Sequence, residues 1–527
     1  EPMLRLALLL AVALTTAALR PSESENAKPP TMLHGATVIP RGFDKVATAN
    51  ASALYTVTLG NTTVPGYTHP PLVASLRGSR FQIGYDYAAL LHAQSAESFN
   101  DFLGAVFPKS SEQKLIAEFT DYCWFHWLSP HTPPQFIEEL RGMQAFHNDT
   151  GIFGSDGLTT DMVARRFYTL ANMPADAVNI IAMLEQETEK GWPTWLKTAV
   201  NDLVKLLERL IHSCDAYGVW GSRTVDGRLY SSRNLDYNKD TGINKYKLVT
   251  IYEVEGKGAY ATMGFATGLG ALAGINTAGI TTSEMNLDNS RVTFDGVPFP
   301  VRLRYVLEES HDLHTAMATW NATNNTNSFN FLIASAADAT AGGPGALALE
   351  TMMGFTAQFP DDSPIERTAT FPCTDAKTDQ CSGWTNATGN VHIGRPLPHA
   401  VWRSNHGMHP NIMATQEPLF NDTMFRYDLM ADIFSGLEAA GRLIDDQTAV
   451  DVVATLGTKG RNFLTCDQEL SGDNVMSIAY LPGPRGQNNN ATSLGSFYVA
   501  WESGASDTWR PAACSPYVRF DLEPWLA

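Results

Sequence analysis

Cys214, in the stretch HSCDAYGVWGSRTVDGRLYSSRNLDY (residues 212–237), is an isolated thiol at the head of a strand-like run. A thiolate is a good acyl acceptor, but it needs a base, an oxyanion stabiliser and groups that position it. No histidine in the sequence stands out as that base. A cut just before Cys214 would supply one: the new α-amino group, with an ordinary pKa of about 8. One residue would then be both nucleophile and base. Cys214 could equally be a packed core thiol, or be bridged to Cys123. Chemistry alone leaves all three readings open.

Other chemistry-bearing patterns are weaker. The run GFATGLGALAG holds Gly268, Gly270 and Gly274, but its spacing departs from G-x-G-x-x-G and strands follow it, so sheet turns are expected. His406 and His409 in SNHGMHP lack the further Cys, His or carboxylate ligands of a zinc site and read as loop or structural residues. No G-x-S-x-G elbow is present. No metal and no cofactor are expected.

Stepping outward from Cys214, the element types change on either side of it. Residues 19–75 are rich in Pro, Thr and Asn, with short strand-like pieces such as ALYTVTL. From about Phe81 to Ser213, apolar residues recur three and four apart, as in FQIGYDYAALLHAQ, SEQKLIAEFTDYCWFHWL and TWLKTAVNDLVKLLERLIHS. At Cys214 the pattern switches to short β-prone runs separated by Gly, Asn and Asp turns. A helical pair, VRLRYVLEESHDLHTAMATW, precedes strands at FNFLIASAA and ALALETM. Helices return at MFRYDLMADIFSGLEAAGRL and DQTAVDVVATLG, and NVMSIAYLP and GSFYVAWES close the chain as strands. Grouped strands and helices predict stacked α and β layers rather than a βαβ array.

The 527 residues carry a formal net charge of −18, with no basic cluster, which argues against nucleic acid or an anionic membrane as main partner. Arg5, the apolar run after it and the small residues near Ala17 and Ala18 have the layout of a secretory signal over residues 1–18. A signal anchor is the alternative reading, and no later stretch is apolar enough to cross a bilayer. N-x-S/T sequons at Asn50, Asn61, Asn148, Asn321, Asn324, Asn386, Asn421 and Asn490 fit a glycoprotein of the secretory route, secreted or held in a lysosomal or vacuolar lumen. Six cysteines in this length are no disulfide scaffold. Cys373 with Cys381 and Cys466 with Cys514 are the expected bridges, leaving Cys123 and Cys214.

Cys214 followed by Asp236 in SRNLDY resembles the start of the mature chain in N-terminal-nucleophile hydrolases. The likeness is greatest to the C45-type, acyl-CoA:6-aminopenicillanate acyltransferase-like family, and R-N-L-D before an aromatic also resembles its bile-salt hydrolase and penicillin V acylase relatives. It continues upstream in RGSRFQIGYDYAALL and downstream through LAGINTAGITTSEMN, FNFLIASAADA, ALALE, SNHGMHP and FRYDLM, over roughly residues 76–440.

The resemblance implies an α+β fold, a four-layer αββα sandwich with a largely helical N-terminal segment. It also implies self-cleavage at Ser213–Cys214, giving chains 19–213 and 214–527, the first remaining as a partner of the second. Cys214 would attack an acyl carbonyl through a thioester. Asp236 would orient the amino group and Arg233 would hold the thiol environment. Asn286 would donate to the oxyanion, Asn330 would serve as a second oxyanion or amine-orienting residue, and Arg426 would brace the site. The family has Gly where this chain has Ser213, and glycine suits the strained backbone that self-cleavage favours. The substrate would be a small molecule with a linear amide, its acyl group passing to water or to an amine. A lipid amidase or phospholipase-B-like hydrolase is the rival enzyme reading. An inactive secreted binding glycoprotein with Cys214 bridged to Cys123 is the rival from another class. The sequence sets no oligomeric state.

Overall fold

The computed structural model describes residues 36, 38–39, 42–58, 67–107, 109–172, 212–287, 289, 291–373, 389–416, 421–458, 474–483, 494–504 and 508–526. Nine elements around Cys214 carry labels here. The strands are β1 (His212–Val219), β2 (Tyr230–Tyr237), β3 (Ile280–Asn286), β4 (Phe329–Ser335), β5 (Ala346–Met352), β6 (Ala400–Arg403) and β7 (Asn474–Leu481). The helices are α1 (Asn421–Ala439) and α2 (Asp446–Gly457).

Two sheets face one another. One has seven strands in the order Val38–Ile39, Tyr517–Asp521, Ser496–Trp501, β7, β2, β1, β6. The other has ten, in the order Phe355–Phe359, β5, β4, β3, Ala273–Asn276, Tyr260–Phe265, Lys247–Val254, Leu72–Gly78, Ser52–Val57, Phe43–Ala49. Neighbours pair antiparallel except Val38–Ile39 with Tyr517–Asp521 and Leu72–Gly78 with Lys247–Val254. β1, β2 and β6 of the first sheet pack on β3, β4 and β5 of the second. Helices α1 and α2 cover the outer face of the first sheet; Arg80–Val106, Phe299–Glu309 and Leu313–Asn321 cover that of the second. The result is the expected α+β sandwich of four layers.

Strands buried on both faces lose the polar alternation of half-exposed ones. β3, β4 and β7 are buried at every residue, so their polar side chains must find partners inside. That requirement concentrates Asn, Glu, Arg and Ser between the layers, around Cys214.

Among the described residues the expected helices and strands fall where the patterning puts them, with three refinements. The helical run from Phe81 is Arg80–Val106, and it crosses Pro134–Thr150 at Gly84 and Gly142. A Cβ at either glycine would run into the backbone of the other helix. The segment before Cys214 is also not only helical: Val38–Ile39, Phe43–Ala49, Ser52–Val57 and Leu72–Gly78 are strands of the two sheets. The run TWLKTAVNDLVKLLERLI lies outside the described residues. His212 and Ser213, expected at a helix end, belong to β1, which runs without a break through Cys214. Antiparallel pairing with β2 explains this, since His212 sits opposite Tyr237 and Ser213 opposite Asp236.

Among the described residues no helix is long and apolar enough to cross a membrane, and no group of three His, Cys, Asp or Glu is arranged to hold a metal. Cys123 and Cys214 are both buried and neither is in a disulfide, so the bridge between them required by the binding-protein reading is not formed. Cys514 is disulfide-bonded. Cys381 and Cys466 lie outside the described residues, as do Asn61, Asn386 and Asn490. Asn50, Asn148, Asn321 and Asn324 are exposed.

Candidate active site

β1 and β2 present Cys214 and Arg233 to the space between the sheets. Arg233 is fully buried and reaches across to β3, where its Nε donates to the Glu284 carbonyl at 2.8 Å and its Nη2 to Glu284 Oε2 at 2.6 Å. The same Nη2 lies 3.6 Å from Cys214 Sγ. Burial pushes the Cys214 thiol up to about 12, against the pull of the Arg233 charge and a backbone hydrogen bond from Asp236; the carboxylates of Glu284 and Asp236 push it further up. Burial likewise raises the Glu284 carboxyl, and Arg233 opposes that rise.

The nitrogen of Cys214 is held as firmly as its sulfur. It donates to Asn405 Oδ1 at 2.7 Å, and Asn405 Nδ2 in turn donates to the Asn286 carbonyl at 2.7 Å. One asparagine side chain therefore joins the nucleophile's strand to the end of β3 in the opposite sheet. Arg426, from α1, completes the grip. Its Nη2 donates to Asn405 Oδ1 at 2.7 Å, its Nη1 donates to the Cys214 carbonyl, and Nη1 lies 3.7 Å from Asp215 Oδ2.

Outside the first sheet, towards α2, a second polar layer backs the site. Asn234 Nδ2 donates to Asp215 Oδ1 and to the Val453 carbonyl, both at 2.9 Å. Asn474 Nδ2 donates to Asp236 Oδ1 at 2.9 Å, and the Ala513 backbone N–H donates to Asn474 Oδ1 at 2.8 Å. Ser477 Oγ donates to both Asn234 and Asn474. Such buried networks hold their members only when satisfied, and here each bond fixes a residue next to Cys214 in sequence or across the ladder.

The expected site residues thus gather as follows. Cys214, Arg233 and Arg426 are in direct contact, and Asp236 meets the sulfur through its backbone. Asn286 stands two hydrogen bonds from Cys214, through Asn405. Asn330 is placed differently from an oxyanion donor: it gives its amide hydrogens to the carbonyls of Ser404 at 2.9 Å and His406 at 2.7 Å. In the uncleaved chain the Cys214 peptide nitrogen is held by Asn405; orienting a free amine, the task the resemblance gives to Asp236, concerns the cleaved chain.

Asn405 and Glu284 escaped the sequence reading. Asn405 lies inside SNHGMHP, whose chemical signal in the sequence is its two histidines. Glu284 lies in SEMN, and an acid in a strand otherwise made for burial was the available signal. His406 is buried and neutral, its pKa lowered to about 3 by burial and by the charges of Arg403 and Arg426. Its Nδ1 bonds Thr423 Oγ1 at 3.0 Å and Ser404 Oγ at 3.2 Å. It is the structural histidine the sequence suggested.

The arrangement sets a buried thiol beside a fixed cation, with a peptide nitrogen that is only a donor. A peptide nitrogen cannot accept a proton; freed as an amine, the same nitrogen would be a base on the residue that carries the sulfur.

Known proteins share parts of this chain. Residues 223–342 match the family model of acyl-coenzyme A:6-aminopenicillanic acid acyl-transferase. Protein dcd1B of Dictyostelium discoideum is 24% identical over 249 residues, 46% of this chain and 44% of that protein. The matched stretch thus spans less than half the length of that relative. Among solved structures, the Caenorhabditis elegans N-acylethanolamine-hydrolyzing acid amidase ortholog aligns over 52% of this chain and 94% of its own, at 15% identity and a TM-score of 0.33. A mutant of conjugated bile acid hydrolase from Clostridium perfringens aligns over 59% and 93%, at 11% identity and a TM-score of 0.32.

Proposed function

We propose that the chain, whose residues 223–342 match the acyl-coenzyme A:6-aminopenicillanic acid acyl-transferase model, is an N-terminal-nucleophile hydrolase that matures by cleavage at Ser213–Cys214. It then cleaves or transfers an acyl group at a linear amide bond through an acyl-thioester on Cys214. The observation that carries this reading is the simultaneous hold on both reacting atoms of one residue: Arg233 Nη2 at 3.6 Å from the sulfur and Asn405 Oδ1 at 2.7 Å from the nitrogen.

In the maturation step the sulfur adds to the Ser213 carbonyl and the carbon–nitrogen bond breaks. The nitrogen leaves as an amine carrying the proton that the thiol gave up. Water then hydrolyses the thioester, freeing the Ser213 carboxyl and regenerating the thiol. In the mature enzyme the new α-amine, held by Asn405, takes the thiol proton as Cys214 attacks the substrate carbonyl and returns it to the leaving amine. Arg233 favours the thiolate. Asn286 is the proposed oxyanion donor and Arg426 the brace. Water or an amine releases the acyl group.

Residues 36–170 contribute strands to both sheets and helices to the outer layer, which supports the upstream chain staying bound after cleavage. Entry into the secretory route, with sugars on the exposed sequons, is part of the same proposal, as are the bridges Cys373–Cys381 and Cys466–Cys514. The test is N-terminal sequencing of the purified protein beside Cys214→Ala. A chain beginning Cys-Asp-Ala-Tyr in the parent and absent from the variant is expected. Cleavage in both assigns the cut to another protease, and an intact parent chain refutes the reading.

A further inference from the structure

Asn405 sits on a connection rather than on a strand, and its side chain must be placed to within a few tenths of an ångström to bond Cys214 and Asn286 together. Its neighbours are fixed from the second sheet. Glu350, on β5 and fully buried, accepts from Arg403 Nε at 3.0 Å on one oxygen. On the other it accepts from the backbone N–H groups of Met408 and His409, both at 2.8 Å. One carboxylate therefore ties down the chain both before and after Asn405. Asn330, directly opposite Glu350 in the β4–β5 ladder, bonds the carbonyls on either side of Asn405, those of Ser404 and His406. Gly407 fits beneath this grip because a Cβ there would lie 3.1 Å from Glu350 Oε2 and would press on Ile412.

Charge balance does not account for Glu350. Arg403 already has a buried counter-ion in Glu366, at 2.9 Å from Nη2. A second buried carboxylate on one guanidinium is costly unless its remaining lone pairs are used, and here they are used on the backbone of the Asn405 connection. We propose that Glu350 and Asn330 are positioning residues for the chemistry at Cys214, acting through Asn405 by clamping residues 403–409 against the second sheet. The inference rests on the proposed function, since it gives Asn405 a reacting atom to hold.

The experiment is a double-mutant cycle on the full chain, following the appearance of the Cys-Asp-Ala-Tyr terminus with time. Glu350→Gln keeps the shape but offers one acceptor oxygen and places an amide donor against Arg403 or against the backbone N–H groups. It is expected to slow processing at least tenfold. In an Asn405→Ala background the same change is expected to alter the rate by less than twofold. If Glu350→Gln yields no folded protein, Asn330→Ala carries the same cycle with the same expectation. Glu139→Gln, in a buried ion cluster of Arg80 and Arg304, is the control for lost stability and is expected to process at the parental rate.

Additive effects overturn the clamp, as does a parental rate in Glu350→Gln or in Asn405→Ala, or slowing in Glu139→Gln to match Glu350→Gln. A parent chain that never splits overturns the proposed function and the clamp with it. A parent that splits while Cys214→Ala does not, with additive clamp variants, overturns the clamp alone.

Discussion

Replacing Arg233 with Met separates its two jobs. The side chain keeps its length and apolar bulk but loses the charge shared between Glu284 and Cys214. Stability falls first: Glu284 is left buried without its cation, and breaking one side of such a pair costs about 3–5 kcal/mol. The thiol changes as well. A unit charge 3.6 Å from the sulfur, at an effective dielectric of about 20, is worth about 5 kcal/mol to the thiolate, or roughly three pKa units. With that attraction gone, the thiolate fraction at a given pH drops about a thousandfold. Arg233→Met combined with Glu284→Leu distinguishes the two effects. An apolar pair in place of a buried ion pair is often neutral for stability, so urea denaturation is expected to return most of the loss. Processing at Ser213–Cys214, and alkylation of Cys214 by iodoacetamide followed by mass spectrometry, are expected to recover only in part, because Glu284→Leu also removes a carboxylate that pushes the thiol up. A double variant that folds and processes at the parental rate refutes an electrostatic role for Arg233.

Three further outcomes are expected. Asn405→Ala strips the acceptor from the Cys214 nitrogen and from Arg426, at about 1–3 kcal/mol of stability measured by urea denaturation, and Asn405→Asp, which keeps an acceptor, loses less. His406 has a folded pKa of about 3, below its unfolded value, so the unfolded chain binds the extra proton between about pH 6.5 and 3. Stability present above pH 6.5 is therefore lost as pH falls through that window, by about 1.4 kcal/mol per unit; His406→Asn flattens that slope in denaturation midpoints measured from pH 4 to 7. Arg304→Met leaves the buried Glu139 short of a cation where Pro134–Thr150 meets Phe299–Glu309. Because Arg80 still pairs with Glu139 at 2.9 Å, the cost is expected to fall below the roughly 3–5 kcal/mol of an orphaned buried charge; after cleavage the variant is expected to weaken the hold of the upstream chain, read by size-exclusion chromatography in mild urea.

The layers were legible because period and length survive burial: β4 is FNFLIAS and α2 is the apolar-striped DQTAVDVVATLG. Cys214 was legible as an isolated thiol, while Arg233 came only from the resemblance carried by SRNLDY; the structure sets the two on adjacent strands of one hairpin. Asn405 and Glu284 were not legible, because each reaches Cys214 or its partner across a gap that periodicity does not encode. Ser213 was misplaced because a helical stripe running up to it masked a pairing set by β2. Asn330 and Asn405 are the same residue type with different duties, decided by which hydrogens the neighbouring carbonyls claim.

The hydrogen bond between Cys214 and Asn405 spans 191 residues, and that between Arg426 and Cys214 spans 212. During synthesis at about 5–20 residues per second, Cys214 would wait on the order of 10–40 s for Asn405 to be made. Until both sheets have docked, the sulfur lacks its fixed surroundings. Under the proposed chemistry, the cut at Ser213 is therefore a timer and a proof of assembly: a chain that has split has already finished folding, and the ratio of split to intact chains reports on its folding yield.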